Sequence, residues 1–349
     1  MRRIAINGRF LARRQTGQER FAGETLRYLD GLAEPGQYVL VVPKEYAKEI
    51  SLQNIEVVRY GGMRSHAWEQ TNFAWYVFRH RMLSLNLCTI HPLFSPGVVC
   101  IHDICYKTNP QFFPTLYGRL STLWHRAHYW LAAKRAQAIL TVTNTSKEEI
   151  GRVYGVEADR ITVIPNGWEH IERIAPEDGV QARFPELRMD EYFLSIGSLM
   201  PHKNQKWVLG AAKANPGKQF VIVGRTSLSE YGDMFGEKAP DNVITTGYLS
   251  DGELKFLLMR CRALIFPSLY EGFGIPPLEA LALNREAIVA NASCMPEING
   301  PTVHYLDPHD PDVDIDELLS TPVEPPDKVL EKYRYENAAR VIHDLLLAL

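Results

Sequence analysis

The chain has 349 residues and a formal net charge of −3, from 38 Lys and Arg against 41 Asp and Glu. This balance gives no reason to expect nucleic acid as a partner, and the length predicts two domains. Five cysteines without a Cys-x-x-Cys pair argue against a disulfide framework or a zinc site. The N-terminus predicts a strand rather than a signal peptide, so we expect a cytoplasmic protein that contacts a membrane at most peripherally.

Short apolar runs alternate with longer amphipathic segments through the first half of the chain. Strands are predicted at residues 4–6, 39–42, 55–58, 98–101, 138–142 and 161–164. Helices are predicted at about 19–32, 68–83 and 116–136, and Ser146-x-x-Glu149 has the spacing of a capping box that would begin another. This alternation is typical of a parallel sheet covered by helices. We therefore expect residues 1–170 to form one doubly wound, Rossmann-like α/β domain.

The same pattern starts again after Pro165-Asn166-Gly167. Strands are predicted at residues 192–196, 220–223, 243–246, 263–266, 287–290 and 303–306, with a second capping box at Ser250-x-x-Glu253. A second Rossmann-like domain is thus expected over residues 171–326, ending in an acidic, proline-rich linker at 308–326. Residues 327–349 predict a closing helix that packs on either domain, including back on the first. Because open parallel sheets bind ligands outside the carboxyl ends of their strands, a shared ligand is expected in a cleft between the domains.

Residues 268–280 are the most informative part of the chain. Two carboxylates, Glu271 and Glu279, flank a Gly-Phe-Gly turn that follows a predicted buried strand, and Pro276-Pro277 suit a helix start. Unpaired N–H groups at a helix start favour an anion, whereas carboxylates accept hydrogen bonds from hydroxyls. The segment therefore predicts a site for a ligand with phosphate and polyol groups, such as a nucleotide sugar.

Three further residues lie where ligands of such sheets are expected. Lys203 follows the predicted strand 192–196 and would meet phosphates there, with an ordinary exposed lysine as the alternative. Gly17 follows the first strand and would open a helix onto the same phosphates, or form a plain turn. His102 ends the strand 98–101 and would donate to a sugar hydroxyl, or serve as a structural histidine.

Aromatic and basic residues alternate between Tyr117 and Arg135. Such a stripe could rest on a membrane surface near a lipid-linked acceptor. The commoner interpretation is a helix that packs on its own sheet and leaves its Arg and Lys side chains in solvent.

Taken together, these motifs resemble glycosyltransferase family 4, whose members are retaining enzymes with the GT-B fold. The family carries Gly-x-x-x-x-x-Lys and Glu-Gly-Phe-Gly-x-Pro-x-x-Glu-Ala in its second domain, here at residues 197–203 and 271–280. Residues 247–250 and 293–298 also look like its base-binding turn and its late Pro-Glu element. The first domain resembles a bacterial polysaccharide-assembly branch of mannosyl- and rhamnosyltransferases, through less specific motifs at residues 6–10, 16–22, 68–70 and 101–103.

The resemblance implies that Lys203 neutralises the donor diphosphate, Glu271 contacts the donor sugar and Glu279 accepts the ribose hydroxyls. Its catalytic residues would be His102, Lys203 and Glu271. Its donor-binding residues would be Gly17, Ser198, Lys203, Arg225, Tyr248, Leu249, Glu271, Gly272, Phe273, Gly274 and Glu279. Many members have an arginine just after the first glycine or just before the lysine, where this chain has Ser198 and His202. Arg225 and Arg9 are the candidates to supply the missing charge.

The resemblance further implies transfer of a hexose from a nucleotide-sugar donor to a saccharide, with a polyprenyl-diphosphate-linked acceptor suggested by the first-domain branch. GDP-mannose is the first guess for the donor, with dTDP-rhamnose and UDP-sugars as alternatives. The signals at Gly17, His102 and Lys203 include no Asp-x-Asp metal motif, so neither a metal nor a cofactor is expected. A nucleotide-sugar epimerase or isomerase on a similar scaffold is the alternative function.

Overall fold

The computed structural model describes residues 3–45, 50–224 and 239–349. Within these ranges the chain forms two compact units. Unit 1 contains the residues up to Gly167 together with Tyr333–Leu349, and unit 2 contains Trp168–Lys332.

Unit 1 is built on a parallel sheet whose strands bury almost all of their apolar residues. The strands are β1 Ile4–Asn7, β2 Tyr38–Val42, β3 Glu56–Arg59, β4 Leu83–Asn86, β5 Val98–Cys100, β6 Ala138–Thr141 and β7 Ile161–Val163. Their order is β3-β2-β1-β4-β5-β6-β7, and Ile4 pairs with both Tyr38 and Leu83. Runs such as Tyr38–Val42 are apolar throughout because helices cover both faces of a parallel sheet.

Helices surround this sheet. The α-helices of unit 1 are Gly17–Leu32, Ser65–Trp68, Ala74–Arg79, Cys105–Thr108, Leu116–Arg135, Asn144–Tyr154 and Tyr335–Ala348. Short 3₁₀ helices lie at Gly8–Ala12, Pro110–Phe112 and Ala158–Arg160, and a π-helical turn lies at Glu69–Phe73. The last helix packs on Gly17–Leu32, and Tyr38 Oη lies 2.8 Å from His343 Nδ1.

Two predictions for unit 1 are wrong. The predicted helix 68–83 ends at Arg79, and Leu83–Asn86 is strand β4, which follows Arg81 with its φ of 54°. A strand this short, directly after a helix, has too few residues to show its own period. The predicted capping box is also misplaced, because Thr143 caps the helix Asn144–Tyr154 by accepting from the Ser146 N–H at 3.0 Å.

Unit 2 repeats the architecture. Its strands are β8 Phe193–Ile196, β9 Phe220–Val223, β10 Val243–Gly247, β11 Ala263–Phe266, β12 Glu286–Ala290 and β13 His304–Leu306, in the parallel order β10-β9-β8-β11-β12-β13. Its α-helices are His170–Arg173, Gly179–Arg183, Gln205–Ala214, Asp251–Met259, Ile275–Ala282, Met295–Asn299, Ile315–Ser320 and Asp327–Lys332. Short 3₁₀ helices lie at Pro201–Lys203 and Gly300–Thr302. The capping box of Ser250 and Glu253 is present as predicted.

The predicted linker at residues 308–326 is part of unit 2. Asp314 caps the helix Ile315–Ser320, and Ile315 is fully buried in the core of the unit. Asn215 fixes this segment by donating to the Val313 carbonyl at 2.8 Å and accepting from the Ile315 N–H at 3.2 Å. The predicted closing helix 327–349 is likewise two helices, Asp327–Lys332 and Tyr335–Ala348.

The helix Leu116–Arg135 agrees with the commoner interpretation of its sequence on one side. That side packs on the sheet through residues such as Tyr129 and Ala132, which share a buried cluster with Val99 and Ile139. Large apolar side chains remain exposed on the other side, namely Leu116, Tyr117, Leu120, Leu123 and Trp130. The commoner interpretation did not predict this exposed apolar side.

All strands are parallel, but in both sheets the order in which consecutive strands are added changes direction once. We call this point the strand reversal, and it lies between β1 and β4 in unit 1 and between β8 and β11 in unit 2. In open parallel sheets, ligands bind beyond the carboxyl ends of the strands at such a reversal. A ligand site is therefore expected in the segments that follow these four strands.

Candidate functional site

Lys203 and Glu271 meet at the strand reversal of unit 2. Lys203 closes the 3₁₀ helix after β8, and Glu271 lies in the turn after β11. Lys203 Nζ donates to Glu271 Oε1 at 2.6 Å, and the two side chains are 24% and 13% exposed. Nζ also lies 5.8 Å from the centre of the Phe266 ring. The pair is exposed enough to contact a ligand, while Glu271 and the Phe266 ring fix the position of the Lys203 ammonium.

The loop that carries Lys203 is fixed by its neighbours. Asn204 adopts a φ of 52°, and its Nδ2 donates to the carbonyls of Pro267 at 3.1 Å and Pro308 at 2.8 Å. A Cβ on Gly224 would collide with the Gly197 carbonyl oxygen, so only glycine allows the loops after β8 and β9 to approach this closely. These contacts position Lys203 beside the end of β11.

A second set of contacts shapes the turn around Glu271. Ser293 Oγ accepts from the Glu271 N–H at 3.3 Å and donates to the Glu271 carbonyl at 3.0 Å. The buried Cys294 thiol donates to the carbonyls of Glu271 and Phe273. Gly274 has a φ of 79°, and a Cβ there would collide with the terminal methyl of Met295. Residues 293–295 therefore hold the turn just before the helix Ile275–Ala282 begins.

Glu279 lies one turn inside that helix and pairs with a residue that the sequence did not suggest. His170 Nε2 lies 2.7 Å from Glu279 Oε1, and because a carboxylate accepts, the imidazole donates. The His170 side chain is 2% exposed. His170 is 109 residues away from Glu279 and belongs to a four-residue helix with no recognisable motif, so only the fold brings the two together.

The other residues predicted for unit 2 are more scattered. Gly272, Phe273 and Gly274 are buried in the turn itself, whereas Ser198 is half-buried in the loop after β8. Tyr248 is exposed and Leu249 buried directly after β10, which lies two strands away from β8 in the sheet. Arg225 lies outside the described residues.

In unit 1, Gly17 and His102 were the predicted residues. Gly17 is exposed at the start of Gly17–Leu32, and a Cβ there would meet no described atom within 4 Å, so the unit does not itself require glycine. His102 is buried after β5 with Nε2 2.9 Å from the Leu87 carbonyl, so Nε2 carries the proton. Burial lowers the pKa of His102 from 6.5 to about 4. The ring is therefore neutral near pH 7, and the proton on Nε2 is already donated to the Leu87 carbonyl. The predicted contact of His102 with a sugar hydroxyl stays a prediction.

The strand reversal of unit 1 holds a buried polar network that the sequence did not suggest. Asn7 Nδ2, at the end of β1, donates to Asn86 Oδ1 at 3.1 Å and to Glu69 Oε1 at 3.2 Å. Arg9 donates to Glu69 Oε2 at 2.7 Å. Burial lowers the pKa of the Arg9 guanidinium, and the Glu69 charge opposes that shift. The motif residues Arg9 and Glu69 thus form one ion pair.

Comparison with known proteins decides between the functions that such strand-end sites allow. Residues 17–170 match the model for Glycosyltransferase Family 4, and residues 181–333 match the model for Glycosyl transferases group 1. The chain is a GT-B glycosyltransferase. The glycosyltransferase carries Lys203, Glu271 and Glu279 within the second matched region, and Arg9 precedes the first.

Relatives and solved structures agree with this assignment. The glycosyltransferase is 29% identical over 253 residues to O-antigen chain mannosyltransferase RfbU of Salmonella typhimurium, covering 68% of this chain and 67% of the relative. It is 29% identical over 273 residues to O-antigen chain mannosyltransferase B of Escherichia coli, covering 74% and 68%. Sucrose-phosphate synthase of Thermosynechococcus elongatus has the same fold, with a TM-score of 0.71, 15% identity and coverage of 100% of this chain and 99% of that one.

The described residues contain neither a membrane-spanning helix nor a cluster of metal ligands. No helix among them is long and apolar enough to cross a membrane. In the same residues, no group of three or more His, Cys, Asp or Glu side chains is placed to hold a metal ion. The absence of a metal requirement stays a prediction.

Proposed function

We propose that the chain is a retaining mannosyltransferase that uses a nucleotide-sugar donor, with GDP-mannose as the first candidate. The acceptor is a growing, lipid-linked saccharide of a cell-surface polysaccharide. The relatives named O-antigen mannosyltransferases support this choice of sugar and pathway. The observation that carries the donor site is the Lys203–Glu271 pair at the strand reversal of unit 2, beside the start of the helix Ile275–Ala282.

Within this proposal, Lys203 stabilises the leaving diphosphate. The ammonium is already neutralised by Glu271, so a diphosphate that binds here shares or replaces that carboxylate. Lysine is a compact charge with three donors, and charge-assisted hydrogen bonds are stronger than neutral ones. The positive end of the helix Ile275–Ala282 adds potential at the same edge, where Ile275 has an N–H and Pro276 and Pro277 have none. Glu271, once Lys203 binds the diphosphate, accepts hydrogen bonds from hydroxyls of the donor sugar.

The chemical step that we propose needs no metal. The bond between the anomeric carbon and the diphosphate oxygen breaks, and the acceptor oxygen bonds to that carbon on the same face. The departing diphosphate oxygen takes the proton of the acceptor hydroxyl. Negative charge accumulates on the diphosphate in the transition state, and preorganised donors such as Lys203 stabilise it there.

Glu279 holds the ribose in this proposal. Its carboxylate is buried and oriented by His170, which leaves acceptor capacity for hydroxyl groups because an ionised carboxylate has about four lone-pair sites. A ribose diol matches such a group.

A membrane contact fits the helix Leu116–Arg135. Its exposed residues Leu116, Leu120, Leu123 and Trp130 are spaced by four, three and seven positions, which places them along one side of the helix. The helix contains Arg119, Arg126, Lys134 and Arg135 and no acidic residue. Apolar side chains with basic flanks suit an anionic lipid surface, whereas two copies of this helix would repel each other.

Liposome sedimentation tests the membrane contact. We expect the chain to sediment with anionic vesicles at low salt, and Leu120→Glu with Leu123→Glu to abolish sedimentation. Arg152→Gln, on the exposed side of Asn144–Tyr154, is the control for loss of one charge. No sedimentation of the wild type would contradict the membrane contact but would leave the proposed donor site unaffected.

The function itself is tested in two steps. A thermal-shift screen with GDP, UDP, dTDP and ADP and their sugars identifies the donor, because a ligand of the native state raises the unfolding temperature. NMR of the product formed on a lipid-linked acceptor then gives the anomeric configuration. An inverted product would contradict the retaining mechanism, and conversion of the donor sugar without an acceptor would support the epimerase alternative.

A further inference from the structure

A cavity of about 310 Å³ lies in unit 1 outside the described donor residues. Three arginines line it, Arg9, Arg13 and Arg64, together with Glu45 and Met63 among others. Arg9 comes two residues after β1, and the wall continues with Pro43 directly after β2. The cavity thus lies at the carboxyl ends of parallel strands, where such sheets bind ligands.

Arg9 is the residue that points to a ligand. Its side chain is 9% exposed, and it donates to Glu69 through one nitrogen. A guanidinium has five N–H donors in a rigid fork, and within the described ranges no second acceptor bonds to this one. A charged group with unused donors is costly to bury unless something else satisfies it. Because Arg9 lines the cavity, its remaining donors are available to a ligand there.

Glu69 keeps this guanidinium in place. Its two oxygens accept from Arg9 and Asn7, and His66 Nδ1 lies 3.1 Å from the oxygen that Arg9 uses. Because Glu69 is buried, Arg9 cannot turn away from the cavity without leaving that carboxylate without its guanidinium partner. The donor fork is therefore preorganised.

Arg13 and Arg64 stand at the rim and differ in how firmly they are held. Arg64 is 81% exposed and pairs with Glu45, which is 58% exposed, and exposed pairs of this kind contribute only about 0–1 kcal/mol. A bound anion with several oxygens therefore competes well for Arg64. Arg13 is 42% exposed, but its partner Glu19 is only 3% exposed, so Arg13 is held more firmly. One buried, one partly held and one movable guanidinium group thus line the cavity.

We propose that this cavity binds the phosphate or diphosphate group of the acceptor. Guanidinium forks match phosphate oxygens in bidentate geometry, and the volume admits a diphosphate with part of its first sugar. The inference rests on the proposed function, in which unit 1 receives the acceptor. The helix that we assign to the membrane lies nearby, since the rings of His66 and Trp124 are 5.7 Å apart.

Acceptor preference tests the proposal. The same sugar is offered on farnesyl diphosphate and as a neutral octyl glycoside, and kcat/KM is measured for both. We expect the wild type to prefer the diphosphate acceptor, and Arg64→Gln to reduce that preference roughly tenfold, as loss of one charged hydrogen bond implies. Arg9→Lys, which keeps the charge beside Glu69 but loses the fork, should act similarly. Arg152→Gln is the matched control and should keep the preference of the wild type. An equal preference in wild type and Arg64→Gln would overturn the proposal.

Direct binding gives a readout that does not need transfer. Isothermal titration calorimetry with inorganic pyrophosphate is run on Lys203→Ala, which lacks the lysine of the donor site, and on Lys203→Ala combined with Arg64→Gln. A dissociation constant roughly tenfold weaker in the double variant supports the cavity. The same constant in both, or no binding at millimolar pyrophosphate, would overturn it. If instead Lys203→Ala retains full transfer, the proposed donor site fails while this binding result still stands.

Discussion

The two units share one architecture and use its strand reversal in different ways. In unit 2 the reversal presents a partly exposed ion pair, Lys203 with Glu271. In unit 1 it holds buried residues, Asn7 with Asn86 and Arg9 with Glu69. An exposed pair can exchange partners with a ligand, whereas a buried network fixes the direction of its donors. In the function that we propose, unit 2 handles the changing charge of the reaction and unit 1 supplies a rigid receptor.

Variants in the two units should therefore fail differently. Loss of a proposed donor-site residue in unit 2 should impair transfer to every acceptor, because the leaving group is common to all of them. Loss of a cavity arginine in unit 1 should change which acceptor is preferred. The comparison would be contradicted by a unit 2 donor-site variant that changes only acceptor preference, or by a unit 1 cavity variant that impairs transfer to every acceptor equally.

The largest effect is expected for Lys203→Ala. Without the ammonium, the diphosphate must leave without its main cation, and removal of one such group lowers kcat by about a hundredfold to a thousandfold. Initial rates with saturating donor measure this, on both the lipid-linked and the neutral acceptor. The loss should be the same for both.

Lys206→Ala is the matched control, because Lys206 is exposed on the adjoining helix and should keep the rate of the wild type. An unfolding temperature of Lys203→Ala close to that of the wild type shows that the fold persists. Near-normal turnover in Lys203→Ala would remove the donor site from unit 2.

A smaller effect is expected for His170, which orients Glu279 in the proposed ribose site. His170→Phe removes the donor that holds the carboxylate and should weaken GDP binding roughly tenfold, the value of one hydrogen bond to a charged group. His170→Gln retains an N–H donor and should recover part of the affinity. Calorimetry with GDP and with 2′-deoxyGDP makes the measurement specific.

The wild type should bind GDP more tightly than the 2′-deoxy compound, and His170→Phe should lose that difference. A purely structural histidine would weaken both nucleotides equally. Equal weakening would therefore show that His170 has a structural role and does not contribute to ribose recognition.

Most of the fold could be predicted from the sequence, because β-branched runs such as Val39 to Val42 are buried on both faces and carry a clear signal. Strand β4 was missed because Leu83–Asn86 follows a helix within four residues. The helix Ile315–Ser320 was missed because its acidic, proline-rich surroundings are typical of a linker. Burial of Ile315 against the rest of unit 2, a tertiary contact, outweighs that local composition.

The site was predictable only where its residues lie close together in the sequence. Glu271, Gly274 and Glu279 share one segment with a glycine turn and a helix start, so local chemistry indicates them. His170 and the Arg9–Glu69 pair depend on residues 109 and 60 positions apart. No local pattern encodes such a contact, and the Glu69 motif did not reveal its partner.

The smallest effect concerns acid stability and distinguishes the units without any ligand. In unit 1, burial lowers the pKa of His91 and His102 to about 4 and that of His128 to about 2. In the described part of unit 2, burial lowers the pKa of one histidine in this way, His202, to about 4. Between pH 6.5 and about 4 these histidines are protonated in the unfolded chain but largely neutral in the folded chain. The free energy of unfolding therefore falls as the pH falls, and it should fall more steeply for unit 1.

Hydrogen exchange at pH 7, 5.5 and 4.5, corrected for the intrinsic exchange rate, measures this difference on the amides of β1 and β4 against those of β8 and β11. We expect protection in unit 1 to decrease first, and His128→Phe, which removes one titrating ring of similar size, to reduce the difference between the units. The rings of His128 and His91 pack at 4.6 Å, so the substitution keeps an aromatic contact at that position. If both units lose protection together at every pH, the buried histidines do not set the acid stability of unit 1.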